Sequence, residues 1–575
     1  MLLIRDSAPS PIYLFLLLLT LVSQCAEGSL PIHDGVSPLL KTNTNSKNPG
    51  MYIRLMPTGL AYLREVGLKI VNREILKIQL PTIRESIDAG VVSVQNAYVS
   101  KYWAPAEYNL ELSPPNVFTW TMSRMHIRAV GEFEAALNSP LLIPSVPIHG
   151  QFETLLGHVS MVISIKVEKS PYGSPIVRTE YCKTTVGYVD LNVRDTGVIT
   201  DFFINAFKAF IIANFKPMVE DRVCQMINRI VNRDINGFLA AMPLQIRLSD
   251  YSVNILEQTF GLAPRRPLNR RRDVSVRNAT LLEFLTTLRQ RSLVMDFRLI
   301  RDPQINYGVI DMFSKGEISW NGIGRTPFDP PNVKIPPPNG FYMAEFYGTD
   351  YLANSMLYHS YKQKYLDLII GPESSPQLKD LLITSCSTGF CIGEFLGALS
   401  KEYPDREVEV QYFASKSPVM VFVQNRARFR IHGKMNMFLR PQNESENKTL
   451  IIRAESVLTS NMYLWINNLR IVGNATVEKL DFKLLETRIS DVDQNSFADL
   501  GLFGAEFLEK LLTDILQVGF QIPTLKGVVM RSPKMTMHER FLRIQTYFKL
   551  DERFAGRVFE GAVRQTLNNI GYRYS

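Results

Sequence analysis

The sequence predicts an α+β fold of two similar domains, each built from twisted antiparallel strands and one long helix. Three observations carry this prediction. Alternating runs such as 158–167 are typical of long strands with one buried face. Two apolar helical stripes, near 198–239 and 501–520, each follow a group of strands. Between the two halves, residues 321–340 are rich in proline and glycine, as in an extended spacer.

The first 28 residues are typical of a secretory signal peptide. Arg5 precedes an apolar run at 12–22, which ends in small and polar residues up to Gly28. The run is about half the length that a bilayer requires, which disfavours a membrane anchor. We therefore expect a secreted, extracellular protein.

Four cysteines follow this segment, and secretion makes disulfide bonds permissible. They allow three pairings. The short spacing of Cys386 and Cys391 favours a local bridge, which leaves Cys182 to pair with Cys224. That second bridge would tie a strand-like run to the long helix. A zinc site is disfavoured, because no histidine lies at ligand spacing from either pair.

The formal net charge of +9 favours acidic partners such as anionic lipid, a membrane surface, lipopolysaccharide or glycosaminoglycan. Nucleic acid is disfavoured by secretion and by the lack of a helix-turn-helix or finger pattern. The one dense basic cluster, 265–272, lies in a stretch at 250–290 that we interpret as an insertion. A solvated loop is the main interpretation of the cluster, with proteolytic processing or polyanion binding as alternatives. Four sequons predict N-glycosylation, at Asn278, Asn443, Asn447 and Asn474.

The apolar stripes of the helices contain the residues that we expect to line the apolar pockets. A first helix opens near Pro57, and its stripe contains Leu60, Leu63 and Ile70. Large, soft side chains suit a deformable apolar cavity, although such a stripe is more often ordinary core. Pro217 predicts a kink in the long helix. The candidate residues on the two long helices are Phe207, Ile211, Phe215, Val219 and Met226, and then Leu508, Leu511, Leu512, Ile515 and Val518.

Ordered patterns along 48–554 carry a resemblance to a known family. Residues 48–62 look like its opening strand and first helix, and 305–320 like its passage into a central sheet. Residues 341–355 look like the first helix of its second domain, and Cys182 and Cys224 match its strand-to-helix disulfide. The chain thus resembles the secreted lipid-binding family that includes bactericidal/permeability-increasing protein, lipopolysaccharide-binding protein and the plasma lipid-transfer proteins.

This resemblance implies an elongated boomerang of two barrel-like domains, 29–320 and 341–575, joined by a central sheet and the linker at 321–340. It also implies that each domain holds phospholipid acyl chains in an apolar pocket, and that the protein can act in lipid transfer between membranes. Such binding needs only apolar area, at about 0.8 kcal/mol per buried methylene. The sequence lacks a G-x-S-x-G elbow, an H-E-x-x-H motif and a phosphate loop. We therefore expect bound phospholipid, no other cofactor or metal, and no enzyme activity.

The chain departs from the family in one respect. The best-known member kills bacteria through a lysine-rich tip, and the corresponding stretches here are about 84–93 and 130–159. They contain no lysine, and Arg84 is their only fixed positive charge. Recognition of bacterial lipopolysaccharide in innate immunity, with antibacterial activity, is therefore the alternative function.

Overall fold

The computed structural model describes residues 36–41, 44–77, 82–87, 90–137, 146–194, 209, 213, 216–240, 243–248, 293–374, 376–386, 391–443, 446–492, 494–522, 527–553, 556–557 and 560–561. The predicted signal peptide at 1–28, the basic cluster at 265–272 and Asn278 lie outside these residues. None of the helices in this part of the chain combines the length and the apolar character that crossing a bilayer requires.

The first half contains nine strands and three α-helices among the described residues. In chain order these are β1 (Met51–Leu55), α1 (Pro57–Glu74), β2 (Ile83–Ile87), β3 (Gly90–Trp103), β4 (Glu107–Ser113), β5 (Val117–Leu137), β6 (Val146–Lys169), β7 (Pro175–Thr185), β8 (Tyr188–Arg194), α2 (Lys216–Arg229), α3 (Asn236–Ala240) and β9 (Gln245–Arg247). A π-helical segment, Ile230–Ile235, joins α2 to α3.

The second half contains fourteen strands and five α-helices among the described residues. Its elements are β10 (Leu293–Asp296), β11 (Gln304–Asn306), β12 (Val309–Ser314), β13 (Glu317–Trp320), β14 (Ala344–Thr349), α4 (Tyr351–Lys362), β15 (Leu368–Ile370), α5 (Pro376–Leu381), α6 (Ile392–Phe395), α7 (Gly397–Glu402), β16 (Val408–Ala414), β17 (Val419–Val423), β18 (Arg426–Leu439), β19 (Thr449–Asn467), β20 (Arg470–Thr487), α8 (Gln494–Val518), β21 (Phe520–Gln521), β22 (Val528–His538) and β23 (Phe541–Leu550).

Two curled antiparallel sheets of seven strands form the bodies of the two halves. The first has the order β2-β3-β5-β6-β7, with β4 on β5 and β8 on β6. The second has the order β15-β16-β18-β19-β20-β21, with β17 on β18. In the first sheet, Asn96, Arg124 and His158 adopt positive φ at or beside register shifts. Such bulges bend a strand and increase its twist, which explains the curl. The predicted α+β class with twisted antiparallel sheets is confirmed.

A central six-stranded sheet joins the two halves in the order β11-β12-β1-β14-β23-β22. It therefore combines strands from near both ends of the described chain. One row of side chains crosses it, because Arg54 lies opposite both Asp311 and Glu345, and Glu345 lies opposite Gln545. The Arg54 guanidinium donates two hydrogen bonds to Asp311, at 2.7 and 3.1 Å. Arg543 and Gln545 donate to the fully buried Glu345.

The long helices lie along the edges of the two curled sheets. On α2 and its continuation, residues spaced by multiples of four contact β7 or the residue that follows it; they are Glu220, Cys224, Asn232 and Asn236. The Asn232 carboxamide accepts a hydrogen bond from the Thr179 amide at 2.9 Å, and the Glu220 carboxylate accepts one from Val186 at 2.6 Å. Four helical residues rise about 6.0 Å. Two strand residues rise about 6.6 Å. The rise of four helical residues is therefore close to the rise of two strand residues, so that several successive side chains of the helix can contact the strand.

The second sheet repeats the arrangement with α8 and β20. The Glu509 carboxylate accepts from the Val477 amide at 2.8 Å, and Gln517 donates to the Gly473 carbonyl at 2.8 Å. Between them, the Thr513 hydroxyl contacts both the amide and the carbonyl of Ala475. In each curled sheet, helix side chains thus cover one edge strand, β7 in the first and β20 in the second.

One helix expectation is untested and another differs from the structure. Pro217 lies in the described helix Lys216–Arg229, but most of the residues just before it lie outside the described part of the chain, so the kink at Pro217 stays a prediction. The same helix continues into an irregular, π-helical turn at Ile230–Ile235. The last helix begins at Gln494, two turns before the predicted 501, because its early residues also pack against the sheet. The domain boundaries at 29–320, 321–340 and 341–575 stay predictions.

Candidate functional site

The inner face of the first sheet, defined as the face that packs against α1, is apolar and rich in methionine. Leu68 of α1 packs there against five buried sheet or loop residues, Met122, Met125, Leu156, Val159 and Val186. Half-buried aromatic rings surround this cluster, among them Tyr102, Tyr108 and Trp120. The side chains of this face are large, and its methionines are deformable.

The second half offers a comparable surface beneath α4 and α8. Phe422, Ala427, Phe429, Met462, Ala475 and Met537 form its buried cluster. Leu512 and Leu516 of α8 pack against this cluster, as do Ala353 and Leu357 of α4. Two apolar inner faces, each covered by helices, are therefore present in one chain.

The predicted pocket residues are distributed as follows. Leu60 is buried, while Leu63 and Ile70 are half-buried on α1. Leu512 packs in the second cluster, and Leu508, Leu511 and Ile515 are half-buried along α8. Residues 207, 211 and 215 lie outside the described part of the chain, and so do the side chains of Val219, Met226 and Val518. Their roles as lipid contacts stay predictions.

Sequence reasoning missed two polar residues of α1, Arg64 and Asn72. They lie four residues before and four residues after Leu68, which packs against the sheet. Gly67 lies beside them, and a methyl group there would come within 3.3 Å of the Trp120 ring. The glycine therefore lets α1 approach Trp120 closely. The four-residue spacing is visible in the sequence. The sequence analysis considered only the apolar stripe beside it, so the two polar residues were not predicted to lie at the interface.

A charged pair on α1 meets a tyrosine of the edge strand β4. The Tyr108 hydroxyl donates to the Glu65 carboxylate at 3.0 Å, and Arg64 donates to the same carboxylate at 3.0 Å. The Arg64 guanidinium carbon lies 5.0 Å from the centre of the Tyr108 ring. These bonds from Tyr108 and Arg64 lower the pKa of Glu65, and the bond to Glu65 raises the pKa of Tyr108.

Several polar atoms at this interface have no partner within the described residues. They are Arg64 Nε, Asn72 Oδ1 and Trp120 Nε1. The Tyr102 hydroxyl contacts only a weak acceptor, the Met125 sulfur at 3.5 Å, and burial raises the pKa of Tyr102 to about 12. Buried polar atoms are nearly always hydrogen-bonded in native proteins, so this group calls for an explanation.

Both disulfide bonds are present in the structure. Cys182 of β7 is joined to Cys224 of α2 with the Cα atoms 5.7 Å apart, within the helix–edge row described above. Cys386 is joined to Cys391, with Cα atoms 5.4 Å apart. The first bond fixes the long helix along the flank of the sheet, while the second closes a short loop before α6.

Two described histidines pack among aromatic rings, and one described pocket lies in the second half. His126 and His158 pack with their ring centres 5.3 Å apart, in a row with Trp103 and Tyr188. Across the described ranges, no three His, Cys, Asp or Glu residues are grouped to hold a metal ion. A pocket of about 240 Å³ lies between α6–α7 and the loop before α8. It is smaller than the roughly 300–1,000 Å³ of ordinary ligand sites.

The part of the first sheet that corresponds to a basic tip is acidic on its surface. Glu132 and Glu134 of β5 are both exposed. Asn96 donates to Glu132 at 2.7 Å, and Gln95 donates to Glu134 at 3.3 Å. The described residues there offer an anionic lipid little electrostatic attraction. The exposed sequon residues Asn443, Asn447 and Asn474 stay predicted glycosylation sites.

Comparison with known proteins gives consistent matches over most of the chain. The model of the LBP / BPI / CETP family N-terminal domain matches residues 59–236, and that of its C-terminal domain matches residues 287–550. Lipopolysaccharide-binding protein of Mus musculus is 21% identical, covering 88% of this chain and 97% of that protein. The Homo sapiens protein of the same name is 22% identical, covering 86% and 92%.

Two further similarities extend the comparison. Bactericidal permeability-increasing protein of Sebastes schlegelii is 18% identical, covering 89% of this chain and 97% of that protein. A crystal structure of lipopolysaccharide binding protein is 20% identical and aligns with a TM-score of 0.48, covering 88% of this chain and 99% of that chain.

Proposed function

Because the chain belongs to the LBP / BPI / CETP family, we propose that it is a secreted lipid-binding protein. It holds the acyl chains of a phospholipid, or of another amphipathic lipid, against the inner faces of its two domains. The observation that carries this proposal is the pair of helix-covered apolar faces, one centred on Leu68 and the other on Leu512. The two disulfide bonds support the extracellular assignment.

The energetics of this function require no reactive group. Each methylene moved from water into an apolar site contributes about 0.8 kcal/mol, so that two acyl chains bind without covalent chemistry. Methionines such as Met122 and Met125 adapt to chains of different length and saturation. A lipid held in this way can also be exchanged with a membrane, which makes lipid transfer part of the proposal.

The test is to purify the protein from the medium of secreting cells, extract it with organic solvent and identify the lipids by mass spectrometry. We expect one bound amphipathic lipid per domain. A well-folded protein that yields no lipid contradicts the proposal. The control is an unrelated secreted protein, purified in parallel from the same medium. The lipid extracted from it measures the amount that is carried over from the medium.

Recognition of lipopolysaccharide is the second candidate function, and the names of the relatives favour it. The acidic pair Glu132 and Glu134 argues against capture at the tip. Electrostatic capture would weaken as salt rises toward physiological ionic strength, where the Debye length is about 8 Å. Salt-sensitive binding to immobilised lipopolysaccharide at that ionic strength would place this function first.

A further inference from the structure

The outer face of β18, which is the face turned away from α8, carries a row of basic side chains. On the opposite face of this strand, Ala427 and Phe429 pack in the buried cluster that includes Leu512 of α8. The residues between them point outward, because successive side chains of a strand lie on opposite faces of the sheet. These outward residues, which we call the basic row, are Arg426, Arg428, Arg430, His432 and Lys434.

The basic row has no acidic partner among the described residues. None of its arginine and lysine side chains forms an ion pair or a hydrogen bond within that part of the chain. Glu455 of β19 lies opposite Lys434, but the two side chains form no ion pair. Further along the same face, Arg453 lies opposite Asn436 and is paired with Glu486 at 2.9 Å. The pairing of charges on this face therefore does not extend to the basic row.

His432 lies in the positive field of this row. Burial lowers the pKa of His432, and the charges of Arg430 and Lys416 lower it further, with no carboxylate opposing them. Alternate residues of a strand lie about 7 Å apart. This is within the Debye length of about 8 Å at physiological ionic strength, so neighbouring cations of the row repel one another. An anion bound along the row would relieve this repulsion.

The basic row is a single line of charge with neutral side chains on both sides. On the β17 side, Val421 lies opposite Arg428 and Val419 lies opposite Arg430. The segment 36–40 packs against these valines and covers that side. The residues of β19 that lie opposite the row on the other side are, apart from Glu455, Val457, Thr459 and Asn461.

This arrangement fits a linear polyanion better than a flat anionic surface. The eight residue steps from Arg426 to Lys434 extend about 27 Å along the strand, whereas the row is one strand wide. A chain with anionic groups along its length can place them on successive cations, while a flat surface would first meet the segment 36–40. The planar fork of arginine binds carboxylates and tetrahedral oxyanions in a bidentate manner. Sulfated glycosaminoglycans, which are linear extracellular polysaccharides, carry both groups.

We propose that the basic row binds a sulfated glycosaminoglycan chain that lies along β18. This inference is independent of the proposed lipid-binding function, because the basic row and the apolar cluster around Leu512 lie on opposite faces of the sheet. A protein held in this way on the extracellular matrix keeps its apolar inner faces free of the polysaccharide.

The test measures binding of the full-length secreted protein to immobilised heparin over a range of salt concentrations. The double variant Arg428→Gln/Arg430→Gln removes the two exposed charges at the middle of the row. We expect its Kd to rise about tenfold at physiological salt. The slope of log Kd against log salt should fall by about two, since each lost contact releases about one counterion fewer. The matched control Lys534→Gln/Lys549→Gln removes two exposed charges of the central sheet and should bind as the wild type does.

The variant Arg428→Lys/Arg430→Lys keeps the charges but lacks the planar forks, so we expect a Kd between those of the wild type and the glutamine variant. The replaced side chains are exposed and unpaired within the described residues, so the Tm of every variant should stay near that of the wild type. A loss of binding without a loss of Tm separates recognition from a structural role.

Three results would overturn the inference. The wild type could fail to bind heparin, or the glutamine variant could bind it as tightly as the wild type. Binding could also be lost only when the arginines of 265–272 are replaced. Vesicles of phosphatidylcholine and phosphatidylserine serve as the competing surface, and we expect their binding to be insensitive to Arg428→Gln/Arg430→Gln. The lipid extracted from each variant should equal that of the wild type, so that failure here leaves the lipid-binding function standing.

Discussion

The side chain of Asn236 forms the hydrogen bonds with the Val177 backbone that a neighbouring strand would otherwise form. Its carboxamide oxygen accepts a hydrogen bond from the Val177 amide at 2.7 Å, and its carboxamide nitrogen donates to the Val177 carbonyl at 2.8 Å. A single side chain thus makes both bonds that a paired strand would make at this residue. Gln494 does the same in the second sheet, since it accepts from the Leu484 amide and donates to the Phe482 carbonyl.

The first prediction concerns this contact. Asn236→Ala leaves the amide and the carbonyl of Val177 without their side-chain partner, so we expect a loss of about 1–3 kcal/mol in the free energy of unfolding. For a domain of this size, that corresponds to about 2–4 °C in Tm for each kcal/mol. Gln225→Ala changes an exposed side chain of α2 and is the matched control. Equal melting temperatures for the two variants would show that the contact contributes nothing.

The disulfide gives a second prediction. Bridging a separation of 42 residues is worth about 4 kcal/mol in the chain-entropy treatment. Cys224→Ser should therefore lower both Tm and the amount of secreted protein. Cys224 and Asn236 are 12 residues apart on the helix, about 18 Å. Distant sites contribute additively, so the double variant should lose the sum of the two single losses. A markedly smaller loss would mean that the helix detaches as a whole once the bond is removed.

The third prediction concerns the central sheet. Burial raises the pKa of Glu345, but hydrogen bonds from Tyr347, Arg543 and Gln545 together bring it below its usual range. Glu345→Gln leaves the buried Arg543 without its counter-charge, which should cost about 3–5 kcal/mol by chemical denaturation. The exposed pair Lys479–Asp481 provides the comparison, and Asp481→Asn should cost less than about 1 kcal/mol. Similar losses in the free energy of unfolding for Glu345→Gln and Asp481→Asn would show that the buried counter-charge is not the cause.

The fourth prediction concerns pH. His359 of α4 is buried, its Nε2 has no partner in the described residues, and burial lowers its pKa, with Glu317 opposing and Lys315 reinforcing the shift. Below the usual pKa of about 6.5, the unfolded chain therefore binds the proton more readily than the folded chain. The stability that neutral His359 provides is present above pH 6.5 and is lost as pH falls through the lowered pKa of the folded state.

The measurement is Tm between pH 5 and pH 7.5. The increase of Tm with pH should be smaller in His359→Gln than in the wild type. His149→Gln, which changes an exposed histidine of β6, should leave the pH dependence unchanged. If His359→Gln follows the wild-type curve at every pH, the buried imidazole is not the source of the dependence.

The sequence predicted the main elements because their patterns are local. The strand β1 at Met51–Leu55 and the start of α1 at Pro57 agree with the structure. The row from Glu220 to Asn236 was missed because polar residues on a helix ordinarily face solvent. Recognising it requires knowing that the facing strand β7 is an edge.

The unpartnered polar atoms beside α1 were missed for a similar reason. Trp120 occupies a strand position like any other alternating residue, and nothing local shows that its indole N–H is buried with no partner among the described residues. The row from Asp311 through Arg54 to Glu345 depends on strand pairs that are distant in the sequence. Side-chain contacts of this kind follow from the tertiary arrangement, which no local pattern determines.

Closing the sheet edges with helix side chains has a consequence for how copies of this protein meet. β7 and β20 are 11 and 18 residues long, and open strands of that length pair readily with strands of other molecules. Here Asn236, Thr513 and their neighbours already occupy several of the outward amides and carbonyls, and a covalent bond holds the helix on β7. These two edge strands therefore resist the addition of a strand from another molecule. The protein can reach a high concentration without aggregating through them.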